Sequence, residues 1–187
     1  MANMDKTQQT VIDSKVRQWF QRYYEFGVLK KQLRQAKIDL DGKVILDAGC
    51  ASGYSTWVIE NAFHPRRLEA FDIMPEQVER AKQRDTQAIF YVDDLADLDQ
   101  PDEKFDAVFT FGVFHHVPAW QHAIDEVYRV LKPGGVLVGG EINKPDAAIG
   151  YDWEKFAQAL TQSGFQDRRV QKIYFGFFMS FLCVKGR

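Results

Sequence analysis

The sequence predicts an α/β fold built on a mostly parallel sheet with helices on both faces. Short apolar runs alternate with helical patterns along most of the chain, as in a parallel sheet covered on both sides. Near the C-terminus two strand-like runs, 167–175 and 177–185, follow each other with only Gly176 between them. Such a hairpin places at least one antiparallel strand late in the sheet. With 187 residues, the chain has the size of one compact domain.

Local signals mark each element in turn. Apolar residues at three- and four-residue steps predict helix over 11–38, with a break at Gly27, and Asp41-Gly42 turns the chain into the first strand. Strands and helices then alternate as far as Ser163-Gly164. The predicted strands are 43–46, 68–71, 88–92, 105–111 and 136–138, the last running on toward Glu141; the predicted helices are 53–63, 76–84, 120–131 and 152–162.

Composition and charge exclude several classes of protein. The net charge is −2, so no global field draws the chain onto nucleic acid. The 2 cysteines, Cys50 and Cys183, are too few for a disulfide framework. No apolar stretch reaches the roughly 18 residues of a membrane span, and the polar residues 1–10 lack the apolar core of a signal peptide. We therefore expect a cytoplasmic protein.

The stretch VILDAGCASGYS, from Val44 to Ser55, predicts a ligand-binding turn. Its apolar strand ends at Asp47, and the small residues that follow let the backbone approach a ligand closely. The dinucleotide fingerprint G-x-G-x-x-G needs a third glycine where this chain has Tyr54. An ionised Asp only accepts hydrogen bonds, so strands that end in Asp suit a ligand rich in donors better than a pyrophosphate. Three successive strands end in this way, at Asp47, at Asp72, and at Asp93 or Asp94.

Five motifs, in order and at workable spacings, resemble those of one family. They are LDAGCASG, FDIMPEQVERAK, YVDDLADL, FDAVFTFGVFHHV and RVLKPGG. They resemble the successive motifs of class I S-adenosylmethionine-dependent methyltransferases, in particular the small single-domain type that includes quinone-biosynthesis and phospholipid N-methyltransferases. The resemblance implies a Rossmann-like, doubly wound sheet of seven strands whose last strand is antiparallel. It also implies S-adenosylmethionine as cofactor and a small-molecule or lipid-like acceptor.

Matched position by position, the resemblance implies most of a cofactor site. Gly49, Ala51 and Gly53 would bring backbone close to the methionine part, and Asp47 would hold its ammonium group directly or through water. Asp72 would bind the two ribose hydroxyls. The remaining implied contacts are Ile73, Met74, Leu95 and Asp94 (in preference to Asp93) around the adenine, and Phe111 beneath the sulfonium.

Ala51 departs from the family pattern, because the family usually has a glycine there. We expect a negative φ at Ala51, which would accommodate its methyl group. If the methyl group instead weakens cofactor binding or abolishes catalysis, the alternative is a protein that binds S-adenosylmethionine without transferring methyl groups, as a sensor or partner subunit.

His115 and His116 follow the fourth strand, where the acceptor should enter. Two interpretations stay open for each: a histidine of the core, or a general base that takes a proton from the acceptor. Adjacent residues rarely face the same site, so we expect one of the two to face it, and the sequence does not choose between them. The pair lacks a carboxylate at ligand spacing, so no metal site is indicated.

The N-terminal segment is basic and aromatic, with seven basic residues and one acid in 15–37. We expect residues 1–41 to form a helical cap or lid on a methyltransferase domain at 42–187. The lid residues nearest the acceptor would be Trp19, Tyr23 and Tyr24. Residues 15–37 either pack an apolar stripe on the core or contact an anionic membrane surface, to which basic and aromatic side chains bind. Nucleic acid is not expected as acceptor, because the basic residues cluster in this one segment and no recognition module is visible.

Overall fold

Strands and helices alternate through the described part of the chain, which comprises residues 26–142, 146, 148–173, 176 and 178–186. In this computed structural model the strands are β1 (Val44–Ala48), β2 (Arg67–Asp72), β3 (Ile89–Val92), β4 (Phe105–Phe111), β5 (Leu131–Ile142), β6 (Phe165–Ile173) and β7 (Phe178–Lys185). The helices are α1 (Phe26–Gln35), α2 (Tyr54–Phe63), α3 (Pro75–Ala81), α4 (Trp120–Val130) and α5 (Trp153–Gln162), with a short 3-10 turn at Phe114–His116.

The strands form one sheet of seven in the order β3-β2-β1-β4-β5-β7-β6. Neighbouring strands from β3 to β5 are parallel, whereas β7 lies between β5 and β6 and runs antiparallel to both. The predicted sheet with an antiparallel last strand is thereby confirmed. The chain winds outward from β1 to β3 on one side and continues with β4 on the other, which opens a crevice at the carboxyl ends of β1 and β4.

The core consists of two layers, one on each face of the sheet. Alternate residues of β1 point to opposite faces, so Leu46 joins one layer and Ile45 the other. Helices α4 and α5 cover the first face, and α1 and α2 cover the second. Across the second face, Gln32 Nε2 of α1 donates a buried hydrogen bond to Ser180 Oγ of β7 at 3.1 Å.

The structure corrects some element bounds. Strand β5 begins at Leu131 rather than 136, because Leu131 already pairs with Phe105, and the Lys-Pro-Gly-Gly run therefore lies inside the strand. Gly27, predicted as a break, lies within α1. The rest of the predicted helix up to residue 25, with the lid residues Trp19, Tyr23 and Tyr24, falls outside the described residues. None of the helices in the described residues has the length and apolarity to span a membrane.

Candidate functional site

A cavity of about 570 Å³ opens at the carboxyl ends of β1, β2 and β4. Doubly wound parallel sheets bind their ligands at this edge. The cavity volume is within the usual range for a small-molecule site. We divide its lining residues into two walls. The carboxylate wall comprises the lining residues of segments 49–55, 71–77 and 94–96; the histidine wall comprises those of 111–119, 140–142 and 178.

The turn after β1 fits closely against the histidine wall at Gly49. Gly49 has φ +76°, and a Cβ built there would lie 2.5 Å from Val113 Cγ2, so both backbone and space demand glycine. The Gly49 and Cys50 N–H groups both donate to the carbonyl oxygen of Phe71, at 2.9 and 2.8 Å. The turn is thus fixed to the end of β2 and touches the opposite wall.

Gly53, in contrast, does not line the cavity. It has φ +78°, and a Cβ there would lie 3.0 Å from Ala81 Cβ and 3.1 Å from Ala81 Cα. Its structural role is therefore to start α2 while α3 packs behind the turn.

Asp72 lines the cavity with an oriented carboxylate. Its Oδ2 accepts from the N–H of Ala51 at 2.9 Å, and its Oδ1 accepts from the N–H of Met74 at 3.0 Å. Burial raises the pKa of this carboxyl group above its usual value, and the backbone hydrogen bonds offset part of that shift. Each carboxylate oxygen has two acceptor sites, so Asp72 retains capacity for two further donors, such as a pair of hydroxyl groups.

The expected negative φ at Ala51 is wrong. Ala51 has φ +47°, in the left-handed region, which costs an alanine roughly 1–2 kcal/mol. The conformation has a local cause: the Ala51 N–H reaches Asp72, and the turn closes with a 2.9 Å bond from the Gly53 N–H to the Cys50 carbonyl. Ala51 nevertheless lines the cavity, beside Asp72.

Asp47 lies beneath the turn, one layer behind the cavity lining. It is fully buried, and its Oδ2 accepts from Ser55 Oγ at 2.7 Å and from Thr56 Oγ1 at 2.6 Å. Its Oδ1 has no hydrogen-bond partner within the described part of the chain. Burial raises the pKa of Asp47 to about 6, although both hydroxyl hydrogen bonds act in the opposite direction.

After β3, the structure brings Asp94 rather than Asp93 to the cavity. Asp94 and Leu95 line it, whereas Asp93 Oδ1 accepts the Asp94 N–H at 2.9 Å and faces away from the lining. Ile73, 59% exposed, and Met74 line the same wall. Gln77 lines it too and escaped the sequence prediction, because nothing in the helical pattern of α3 distinguishes it.

Both histidines line the cavity, so the expectation that only one faces the site is wrong. The reason is that the 3-10 turn at Phe114–His116 itself forms part of the mouth, and the two ring centroids are 3.9 Å apart. Partial desolvation and the neighbouring His115 lower the pKa of His116 below its usual value. Phe111 lines the cavity at the end of β4, as predicted from its position.

Glu141 is a functional candidate that the sequence interpretation missed. It is fully buried on β5, where its Oε1 accepts from the N–H groups of Val113 at 2.7 Å and Phe114 at 3.0 Å. Its Oε2 lies 2.7 Å from His115 Nδ1. The only sequence signal was an acid at the end of a predicted strand. Within the described ranges, no three His, Cys, Asp or Glu residues are grouped as metal ligands.

The chain is similar in sequence to one protein family and to several individual proteins. Residues 46–139 match the family described as "Methyltransferase domain". The fatty-acid O-methyltransferase of Mycolicibacterium smegmatis is 30% identical over 133 residues, which cover 70% of this chain and 47% of the relative. The 2-methyl-6-phytyl-1,4-hydroquinone methyltransferase of Synechocystis is 35% identical over 108 residues, which cover 56% of this chain and 34% of the relative. The chain thus spans about half or less of the length of these relatives.

Solved structures resemble this fold. The structure of an S-adenosylmethionine-dependent methyltransferase from Aquifex aeolicus superposes with a TM-score of 0.77 at 18% identity, covering 97% of this chain and 99% of that one. At this identity the likeness concerns the fold, and it confirms the predicted Rossmann-like architecture.

Proposed function

Since the chain belongs to the S-adenosylmethionine-dependent methyltransferase family, we propose that it transfers a methyl group to an apolar, lipid-like small molecule. The observation that carries the proposal is the division of one cavity into two unlike walls. The carboxylate wall offers hydrogen-bond acceptors to a polar nucleoside, whereas the histidine wall is predominantly apolar and offers a different environment to a second molecule.

S-adenosylmethionine is the cofactor of this family, and the carboxylate wall fits it. Asp72 would accept the two ribose hydroxyls, and Asp94 the adenine amine, with Ile73 and Met74 beside the ring. Asp47 would act on the ammonium group from behind the turn, through water. When bound, the cofactor supplies a methyl group on a positively charged sulfur. None of the cavity-lining residues that the structure describes is Lys or Arg, which disfavours a pyrophosphate ligand.

The apolar character of the histidine wall supports a lipid-like acceptor. Its apolar lining residues include Phe111, Val113, Val117, Pro118, Ile142 and Phe178. By their names, the two relatives methylate a fatty acid and a phytyl hydroquinone, both of which carry long apolar chains. The chemical task left to the protein is to align acceptor, methyl group and sulfur and to exclude water.

The position of helix α1 supports a cap over the 42–187 domain. The ring of Phe26, at the start of α1, stacks on that of Phe111 with 5.0 Å between centroids, so the helix contacts the histidine wall. On the outer side of α1, Lys30, Lys31 and Arg34 are exposed. These cations support the finer proposal that the acceptor is taken from an anionic membrane surface, because each basic residue near such a surface contributes about 1 kcal/mol.

Calorimetric titration tests the cofactor site, and labelled methyl transfer tests the activity. We expect micromolar affinity for S-adenosylmethionine and S-adenosylhomocysteine, followed by transfer to apolar acceptors. Absence of binding would contradict the proposal. Binding without transfer to a broad acceptor panel would favour the alternative, a cofactor-binding protein without transferase activity.

Liposome binding tests the membrane contact separately. Replacing Lys30, Lys31 and Arg34 with Gln should reduce sedimentation with anionic vesicles. The control replaces three exposed cations elsewhere, Arg66, Lys82 and Lys172, and removes the same charge. Equal losses in both variants would show only a general charge effect and would remove the membrane contact from the proposal.

A further inference from the structure

The contact between Glu141 and His115 fixes which nitrogen of the histidine carries a proton. Glu141 is fully buried; its Oε1 accepts two backbone N–H groups of the turn, and its Oε2 lies 2.7 Å from His115 Nδ1. An ionised carboxylate only accepts hydrogen bonds, so the proton of the 2.7 Å contact lies on His115 Nδ1. The other ring nitrogen, Nε2, is then left as an acceptor on a ring that lines the cavity.

The charges of the lining define which acceptors fit. The ionisable residues among the described lining residues are carboxylic acids, histidines, a tyrosine and a cysteine, and none is Lys or Arg. A carboxylate acceptor would therefore find no cation in this lining, and it would meet the negative charge of Glu141 behind His115. A neutral acceptor needs no cation in the lining and is not repelled by Glu141, but its hydroxyl group must lose a proton when the oxygen is methylated.

The acidity of the hydroxyl group further limits the chemical class of the acceptor. A phenolic hydroxyl has a pKa of about 10 and a histidine one of about 6.5, so proton transfer between them is only moderately uphill. Aliphatic alcohols are far weaker acids. The rings of Phe111 and Phe178 in the same wall also suit an aromatic acceptor.

We propose that Glu141 positions His115 as the base for a neutral acceptor with an aromatic hydroxyl group, and that the site discriminates against carboxylates. This inference rests on the proposed function and names its substrate class. It distinguishes between the two kinds of acceptor that the relatives' names represent, a fatty acid and a hydroquinone.

The transfer step balances as follows for such an acceptor. The hydroxyl oxygen forms a bond to the methyl carbon while its proton passes to His115 Nε2. The carbon–sulfur bond breaks, and its electron pair stays on sulfur. The products are a methyl ether, S-adenosylhomocysteine and a protonated His115, whose charge Glu141 balances. Because the His115 side chain is 15% exposed, the proton can then leave to water.

The test compares acceptors of different acidity in matched variants. The probes are 4-alkylphenols, the same phenols with ring nitro groups that ionise them at the assay pH, and fatty acids of similar length. The variants are His115→Gln and Glu141→Gln; the latter keeps an acceptor for the two backbone N–H groups but turns an amide N–H toward His115 Nδ1, which forces the proton onto Nε2. The control is His122→Gln, on the exposed side of α4.

We expect wild type to methylate alkylphenols at least 100-fold faster than fatty acids. Both the His115 and the Glu141 variant should lower kcat on alkylphenols roughly 100–10,000-fold, the usual contribution of a positioned base. With nitrophenols, which need no base, the loss should shrink to less than about 10-fold. Affinity for S-adenosylhomocysteine should stay within about twofold throughout, because neither residue belongs to the carboxylate wall.

Three results would overturn the inference. Equal losses on ionised and neutral phenols would mean that the variants only disturb the structure. Faster transfer to fatty acids than to alkylphenols would show that the inferred substrate class is wrong, while the proposed function would still hold. Cofactor binding with transfer to neither class would also reject it. Absence of both cofactor binding and transfer would instead overturn the proposed function itself.

Discussion

The two walls of the cavity differ in how the chain builds them. The carboxylate wall consists of short continuous segments that follow β1, β2 and β3, and its polar groups are held mainly by backbone N–H groups, as at Asp72. The histidine wall combines residues from the ends of β4, β5 and β7, and its polar contact joins the side chains of His115 and Glu141. One wall is fixed mainly by backbone hydrogen bonds, the other by side chains that strand pairing brings together.

This difference separates what binds the cofactor from what selects the acceptor. Because the carboxylate wall depends on backbone conformation, substitutions there should affect cofactor affinity or folding. Because the histidine wall depends on side chains, substitutions there should change the acceptor while the cofactor still binds. The four experiments below test this separation, from the largest expected effect to the smallest.

Gly49→Ala should disrupt the contact between the two walls. The added Cβ meets Val113 at 2.5 Å and stands at φ +76°, so we expect a loss of about 4 kcal/mol in the free energy of unfolding. Gly42→Ala is the matched control, because it has φ +64° with no atom within 4 Å and should cost only about 1 kcal/mol. Equal losses in urea unfolding would show that the walls are not packed together at this point.

Asp47 should make stability depend on pH beneath the carboxylate wall. Its pKa is raised from 3.8 to about 6 on folding, so the folded state binds this proton more tightly, and the stability it contributes is lost as pH rises from about 4 to 6. The shift corresponds to a change on the order of 3 kcal/mol. In urea unfolding, Asp47→Asn should therefore gain stability relative to wild type as pH rises from about 4 to 6. A difference in the free energy of unfolding that does not change with pH would contradict the raised pKa of Asp47.

Asp72→Ala should damage the carboxylate wall alone. The loss of two hydrogen bonds that the ribose hydroxyls would donate to the charged carboxylate should weaken S-adenosylhomocysteine binding roughly 100-fold, measured by calorimetry. Asp85→Ala, at an exposed position outside the cavity, serves as the control. If affinity is unchanged while the fold is intact, the cofactor site lies elsewhere.

Val117→Asn should damage the histidine wall alone. A polar side chain against an apolar acceptor should raise KM for that acceptor roughly 10-fold, while affinity for S-adenosylhomocysteine changes less than about twofold. Initial rates with a long-chain alkylphenol measure the first quantity and calorimetry the second. A parallel loss of both would mean that the walls do not act separately.

The sequence predicted the carboxylate wall better than the histidine wall for the same structural reason. Asp72 and Gly49 are recognisable because one ends a predicted strand and the other lies in the small-residue turn after a strand, each within a short motif. Glu141 was missed because its partners lie on a turn that only the pairing of β4 with β5 brings close. The sign of φ at Ala51 was wrong because the Asp72 carboxylate, 21 residues away, holds its N–H.

The bounds of the strands were also predicted well where the local sequence sets them and wrongly where strand pairing does. Strand β4 was predicted at 105–111, where the structure has it, because its run is mostly apolar and mostly buried. The start of β5 was misplaced because the pairing of Leu131 with Phe105 overrides the local turn signal of Pro133-Gly134.

The buried bond between Gln32 and Ser180 sets an order of events during translation. Residue 180 is synthesised 148 residues after residue 32, a delay of roughly 7–30 s at the usual rate of chain elongation. During that time the apolar stripe of α1, formed by Phe26, Leu29 and Leu33, lacks β7, the last of the strands in its core layer to be synthesised. We expect ribosome-bound chains stalled before β7 to crosslink to chaperones through this stripe, and full-length chains tethered by an added C-terminal linker to lose the crosslink. Helix α1, made early, thus completes its packing only when β7 is present.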